Sequence, residues 1–130
     1  MNAFRFAAIF SLLSVPVLAD EVWESDMGQI VYEAEEGGAA IFSFTNVDAY
    51  PAKLIIPGLA GNYSNRSSHD AYWIGQGAGA CTAFMSHGSE PASSQWGRAQ
   101  VVFDGPEFPT SLTVILGFCL DEPNIVIRGE

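Results

Sequence analysis

The chain has 130 residues, of which 15 are acidic and 5 are basic, so its formal net charge at pH 7 is −10. This length suits one compact domain and is too short for two. A surface this acidic repels phosphate backbones and anionic lipids. That excludes nucleic acid as an expected partner and favours basic proteins or cations, although such charge also serves solubility alone.

The first nineteen residues have the three-part form of a secretory signal peptide. Arg5 supplies a positive charge, an apolar stretch runs from Phe6 to Leu13, and Val17-Leu18-Ala19 provides the cleavage site. The apolar run is shorter than the roughly 20 residues that span a bilayer. We therefore expect residues 1–19 to be a signal peptide cleaved after Ala19. Residues 20–130 would then form one exported domain, periplasmic or secreted, without membrane insertion.

The clearest hairpin lies early in this domain, where apolar and polar residues alternate on both sides of Gly37-Gly38. Glycine tolerates the positive φ angle that tight hairpin turns require. The residues expected to face inward are Ile30, Tyr32 and Ala34 before the turn, and Ala40, Phe42 and Phe44 after it. A short strand near Val22-Trp23 is expected before this hairpin, and another over residues 52–56 after it.

Apolar and polar residues continue to alternate in the second half of the chain. Residues 61–68 and 87–94 are polar and rich in turn formers, which predicts loops, and glycines 75, 77 and 79 indicate a bulge or a close backbone approach. Further strands are expected over residues 71–74, 98–104, 112–118 and 125–127, with Ala99, Val101, Phe103, Leu112, Val114, Leu116 and Phe118 in the alternating apolar sets. Roughly eight short strands with this spacing are typical of an all-β antiparallel barrel-like or sandwich domain, and we favour the barrel.

The two cysteines, Cys81 and Cys119, both lie in the exported part. An even pair in an oxidising compartment predicts a disulfide. A thiol nucleophile or a pair of metal ligands is less well supported, because neither cysteine belongs to a C-x-x-C unit or lies beside a histidine.

Two separate stretches concentrate the residue types that bind ligands: residues 62–73, and Trp96-Gly97-Arg98, where the guanidinium can stack on the indole. Loops on rigid β scaffolds often hold binding residues, and Arg, Tyr and Trp are common at the centres of protein interfaces. The candidate binding residues are Asn62, Tyr63, Arg66, His69, Tyr72, Trp73, Trp96 and Arg98. The alternative is structural: Tyr72 and Trp73 fill or cap the barrel and Arg66 is solvated, while Arg98 packs on Trp96 at the surface.

Catalytic and metal-binding patterns are weak in this sequence. Neighbouring side chains on a strand point to opposite faces, which argues against a His69–Asp70 pair. The second histidine, His87, has no ligand-spaced partner, and no Gly-x-Ser-x-Gly elbow marks a nucleophile. We therefore expect no catalytic residue, no metal and no cofactor.

Three functions are compatible with these observations. The favoured one is a non-enzymatic protein-binding module, such as an inhibitor, that binds a basic secreted or periplasmic protein. The alternative is a small-ligand carrier with its guest inside the barrel. A hydrolase that uses two carboxylates is the third, although fifteen acidic residues give no means of choosing a pair.

Overall fold

The computed structural model describes residues 21–46, 49–59, 68–76, 79–88, 90–105 and 110–130. The predicted signal peptide lies outside these residues. Every element within them is a strand, and the bounds are β1 (Val22–Ser25), β2 (Gly28–Glu36), β3 (Ala39–Thr45), β4 (Pro51–Pro57), β5 (Ser68–Gly75), β6 (Met85–His87), β7 (Glu90–Ser93), β8 (Trp96–Phe103), β9 (Leu112–Leu116) and β10 (Ile125–Gly129).

Eight of these strands form one antiparallel sheet in the order β1-β2-β3-β4-β5-β8-β9-β10. The sheet curls into a nearly closed barrel, because its first and last strands meet through two backbone hydrogen bonds. The amide of Glu24 donates to the carbonyl of Glu130 at 3.2 Å, and the amide of Glu130 donates to the carbonyl of Glu24 at 3.0 Å. The predicted all-β, barrel-like fold is confirmed, and the barrel is the form adopted rather than the sandwich. Curling in this way pairs the two sheet edges that would otherwise be exposed.

Aromatic and aliphatic side chains fill the interior of the barrel. The ring of Phe42 lies 5.2 Å from that of Trp23 and 4.9 Å from that of Tyr32, measured between centroids. The inward faces predicted for β3, β8 and β9 are confirmed by the buried core residues Ala40, Phe42, Phe44, Ala99, Val101, Phe103, Leu112, Val114 and Leu116.

The β2–β3 hairpin confirms the predicted turn but corrects one inward residue. Gly37 and Gly38 have φ angles of +59° and +83°, the left-handed values that favour glycine. The pairing register shifts between Tyr32 and Ala34, so a bulge interrupts the alternation of β2. Ala34 therefore packs on the outer surface of the barrel, and the prediction that it shares the inward face of Tyr32 is wrong.

A small second core lies on the outside of the barrel, beneath the β6–β7 hairpin. Its buried residues include Ile41, Ile55 and Trp96, and Met85 of the hairpin packs against them. The prediction that residues 87–94 form a loop is wrong, because β7 pairs with β6. Polar residues and Pro91 give this segment little strand signal of its own. Its conformation depends on contacts with the barrel wall.

Two of the three glycines serve the predicted close approach, Gly75 at the end of β5 and Gly79 after it, whereas Gly77 lies outside the described residues. A Cβ atom at Gly75 would overlap the side chain of Gln95, and one at Gly79 would overlap the backbone of Ser94. The amide of Gly75 donates to the carbonyl of Gln95 at 2.7 Å. The chain that leaves the barrel after β5 is therefore packed directly against the chain that returns to it before β8.

Candidate functional site

The predicted binding residues do not gather on one face. Asn62, Tyr63 and Arg66 lie outside the described residues. The pairing of β5 with β8 brings His69 opposite Val101 and Tyr72 opposite Arg98. Because strand side chains alternate, His69 and Trp73 point into the barrel, whereas Tyr72, Trp96 and Arg98 lie on the outside.

The two inward residues are parts of the barrel interior. The indole nitrogen of Trp73 donates to the carbonyl oxygen of Gly117 at 2.7 Å. The ring of His69 meets that of Phe103 edge-on at 6.0 Å, and its side chain is only 8% exposed. Among the described residues, His69 Nε2 has no hydrogen-bond partner. Neither side chain is placed to meet a large partner at the surface.

Two of the outward residues anchor the β6–β7 hairpin. The indole nitrogen of Trp96 donates to the carbonyl of Ala83 at 2.9 Å, and the Tyr72 hydroxyl lies 2.8 Å from His87 Nδ1. The other ring nitrogen of His87 is 3.9 Å from a carboxylate oxygen of Glu36. Burial raises the pKa of Tyr72 above its ordinary value of 10.0, so the phenol stays protonated at neutral pH. This arrangement docks the hairpin on the barrel wall.

The most unusual surface feature is the segment between β9 and β10, residues 117–124, which we call the disulfide loop. The predicted disulfide is confirmed: Cys119 is bonded to Cys81, with 5.5 Å between their Cα atoms. Cys119 has a φ angle of +55°, a left-handed conformation that costs a non-glycine residue about 1–2 kcal/mol. Its amide donates to the carbonyl of Trp96 at 2.8 Å, and its carbonyl accepts from the amide of Arg98 at 3.2 Å. The loop is thus held on both sides of its strained residue.

This loop exposes apolar side chains next to carboxylates. Leu120 is 74% exposed and Phe118 is 37% exposed. The prediction that the apolar strand continues to Phe118 is wrong. The strand ends at Leu116 instead, because a turn follows in which the amide of Asp121 donates to the carbonyl of Phe118 at 3.0 Å. Sequence reasoning missed this surface. In the sequence, a leucine that directly follows an alternating apolar run looks the same whether its side chain is exposed or buried in the folded protein.

The basic side chains that the structure describes are engaged with protein atoms. Lys53 pairs with Glu33 on the barrel wall. Arg128 pairs with both Asp104 and Glu130. A hydrogen bond from Ser111, reinforced by Arg128, holds the pKa of Asp104 below its ordinary value of 3.8. These contacts use few of the carboxylates, so the surface stays strongly negative.

A polar groove of about 410 Å³ lies beside the disulfide loop, on the outer face of β5 and β8. Asp70 and Gln100 lie on its sheet side, and Glu122 and Pro123 of the loop form the opposite side. The Nε2 atom of Gln100 donates to Asp70 Oδ1 at 3.4 Å. Arg98 also lines the groove, and its guanidinium donates to the carbonyl of Leu120 at 3.1 Å.

A second groove of about 280 Å³ runs between the end of β5 and the β6–β7 hairpin. Its lining is more apolar and includes Ile74, Pro91 and Phe84, the last of which is 70% exposed. Exposed aromatic and aliphatic groups therefore occur on both chain segments that the disulfide joins.

In the described part of the chain, no three or more His, Cys, Asp or Glu side chains form a group that could hold a metal ion. In the same residues, no helix is long and apolar enough to cross a membrane. In comparisons with known proteins, no family model, no curated protein and no solved structure matches the chain.

Proposed function

We propose that this chain is an exported, non-enzymatic protein-binding module whose contact surface is centred on the disulfide loop. The observation that carries the proposal is Leu120, which is 74% exposed on a loop fixed by a disulfide and backbone hydrogen bonds. A leucine presented on a rigid loop can bury its side chain against a partner while losing little conformational freedom.

The charge of the chain indicates the kind of partner. A net charge of −10 speeds the encounter with a basic protein and opposes binding to an acidic one. Asp121 and Glu122 follow Leu120 directly and are exposed, so negative charge surrounds the apolar contact. A basic secreted or periplasmic protein, such as a hydrolase that this chain inhibits, fits this combination.

The packed interior is the reason for preferring this function to that of a ligand carrier. A barrel of about eight strands has room for side chains or for one small ligand. Here the large side chains of Trp23, Tyr32, Phe42 and Trp73 occupy that space and are nearly or fully buried. The grooves described above lie outside the barrel, where a protein partner can reach them.

The proposal is tested with the oxidised mature chain and a panel of purified basic secreted hydrolases, lysozymes among them. Isothermal titration calorimetry should give saturable binding to at least one of them. Replacing Leu120 by Asp should weaken that binding about 10- to 100-fold, because burying a leucine contributes roughly 1.5–3 kcal/mol.

Val22→Asp is the matched control, since Val22 is an aliphatic residue 45% exposed on β1, two residues before Glu24, which pairs with Glu130 at the end of β10 remote from the disulfide loop. Its affinity should equal that of the unmodified chain. Equal weakening by both variants would contradict the proposal. So would the absence of Leu120-dependent binding both in the panel and among basic proteins from the native extracellular fraction.

A further inference from the structure

The groove beside the disulfide loop has carboxylates on two separate walls. Asp70 belongs to β5, whereas Glu122 belongs to the loop. Ala71 and Ala99 pair across the floor, and because their side chains turn toward the barrel interior, the floor is a strip of backbone. A long, narrow side chain could therefore lie along the floor between the two carboxylates.

The charges in this groove are only partly compensated. Within the described part of the chain, neither Asp70 nor Glu122 takes part in an ion pair. Arg98 is the one basic residue in the lining, and it donates to the carbonyl of Leu120, which places it toward the loop. Two carboxylates and one guanidinium leave the groove with a net charge of about −1 at neutral pH.

We infer that this groove receives a lysine or arginine side chain of the basic partner while Leu120 contacts an apolar residue beside it. This inference rests on the proposed function and specifies what the partner must present. The alkyl part of the incoming side chain would lie on the backbone floor and against Pro123. Its cationic end would donate hydrogen bonds to both Asp70 and Glu122.

The contact between Arg98 and Leu120 links the two halves of this surface. It joins the groove to the residue that carries the proposed protein contact, at 3.1 Å. A partner that presents a cation and an apolar side chain at neighbouring positions would engage both halves at once. A neutral or acidic segment would cover the groove without balancing its excess negative charge, which costs binding energy.

The groove can be tested without knowing the partner. The probes are N-acetyl-L-argininamide and its neutral near-isostere N-acetyl-L-citrullinamide, each titrated at millimolar concentration into the 15N-labelled oxidised chain. We expect saturable shifts of the amides of Asp70, Gln100 and Glu122 with the arginine probe, at least three times larger than with the citrulline probe.

Two conservative variants and one control locate the effect. Asp70→Asn and Glu122→Gln should each reduce the arginine-induced shifts at least twofold. Asp26→Asn, an exposed acidic residue in the turn after β1, should leave them unchanged. Equal responses to the two probes, or arginine-induced shifts spread over the acidic surface without a maximum at the groove, would overturn the inference.

The two proposals can fail separately. If Leu120→Asp weakens partner binding but argininamide does not map to the groove, the protein-binding function stands and the cation-binding groove is rejected. If argininamide maps to the groove but no basic protein binds, the groove is a cation site and the protein-binding function is rejected.

Discussion

The disulfide should contribute much of the stability of this domain, and its removal tests how the disulfide loop is held. Cys81 and Cys119 are 38 residues apart in the chain. Closing a loop of that size in the unfolded state corresponds to about 4 kcal/mol in the chain-entropy account. We therefore expect the double variant Cys81→Ala/Cys119→Ala to lose about 4 kcal/mol of unfolding free energy, out of the 5–15 kcal/mol typical of a domain.

A second double variant separates cross-linking from backbone strain. Residue 119 has a φ angle of +55°, which alanine adopts less readily than glycine. If the left-handed conformation persists without the disulfide, Cys81→Ala/Cys119→Gly should be more stable than Cys81→Ala/Cys119→Ala by about 1 kcal/mol. Equal stability would mean that the loop abandons this conformation once the bond is lost.

The assay is equilibrium unfolding in urea, followed by tryptophan fluorescence. All three tryptophans, Trp23, Trp73 and Trp96, are buried, so unfolding should change their emission strongly. Hydrogen exchange gives the local readout. In the double-alanine variant the amide of residue 119 should exchange much faster, while amides of β3 and β4 stay protected. A loss below about 1 kcal/mol, or native protein with two titratable thiols, would refute this reasoning.

Three further predictions concern the barrel wall and its pH dependence. Ser111→Ala should raise the pKa of Asp104, measured by NMR titration, because the Ser111 hydrogen bond is the largest cause of its lowering. Since the folded-state pKa lies below 3.8, the contribution of Asp104 to stability is present above that pH and is lost as pH falls through the folded-state value. Gly97→Ala should cost about 3 kcal/mol in urea unfolding, because the new Cβ would overlap the carbonyl oxygen of Gly117. Tyr72→Phe should cost about 1 kcal/mol and speed hydrogen exchange in the β6–β7 hairpin, because it removes one hydrogen bond.

Each of these has its own control. Gly38→Ala has open space around its Cβ but a φ angle of +83°, so it should cost about 1–2 kcal/mol from backbone strain alone, less than Gly97→Ala. An unchanged Asp104 pKa in Ser111→Ala would show that Arg128 alone sets it. Unaltered exchange in the hairpin of Tyr72→Phe would mean that Trp96 and the disulfide suffice to dock it.

Local patterns in the sequence were sufficient for the barrel strands. A period of two assigns inward and outward faces without knowledge of the partner strand, and residues 99–103 and 112–116 face as predicted. The turn at Gly37-Gly38 and the pairing of two cysteines are also local or compositional signals. Where a bulge adds a residue, as between Tyr32 and Ala34, the same rule places the next side chain on the wrong face.

The surface that we propose for binding was decided only by the tertiary structure. The candidate residues of β5 and β8 are close in sequence or in register. Because side chains on a strand alternate between the two faces of the sheet, His69 and Trp73 point into the barrel, whereas Tyr72 and Arg98 lie on its outside. The β6–β7 hairpin and the disulfide loop have little local preference. They are shaped by contacts over long sequence distances, of which the Cys81–Cys119 bond and the docking on Trp96 are the clearest. Amino-acid order thus determined which residues line the barrel, because burial follows a short-range period. Only the tertiary structure decided which apolar residues stay exposed, because that depends on which parts of the barrel wall the hairpin and the disulfide loop cover.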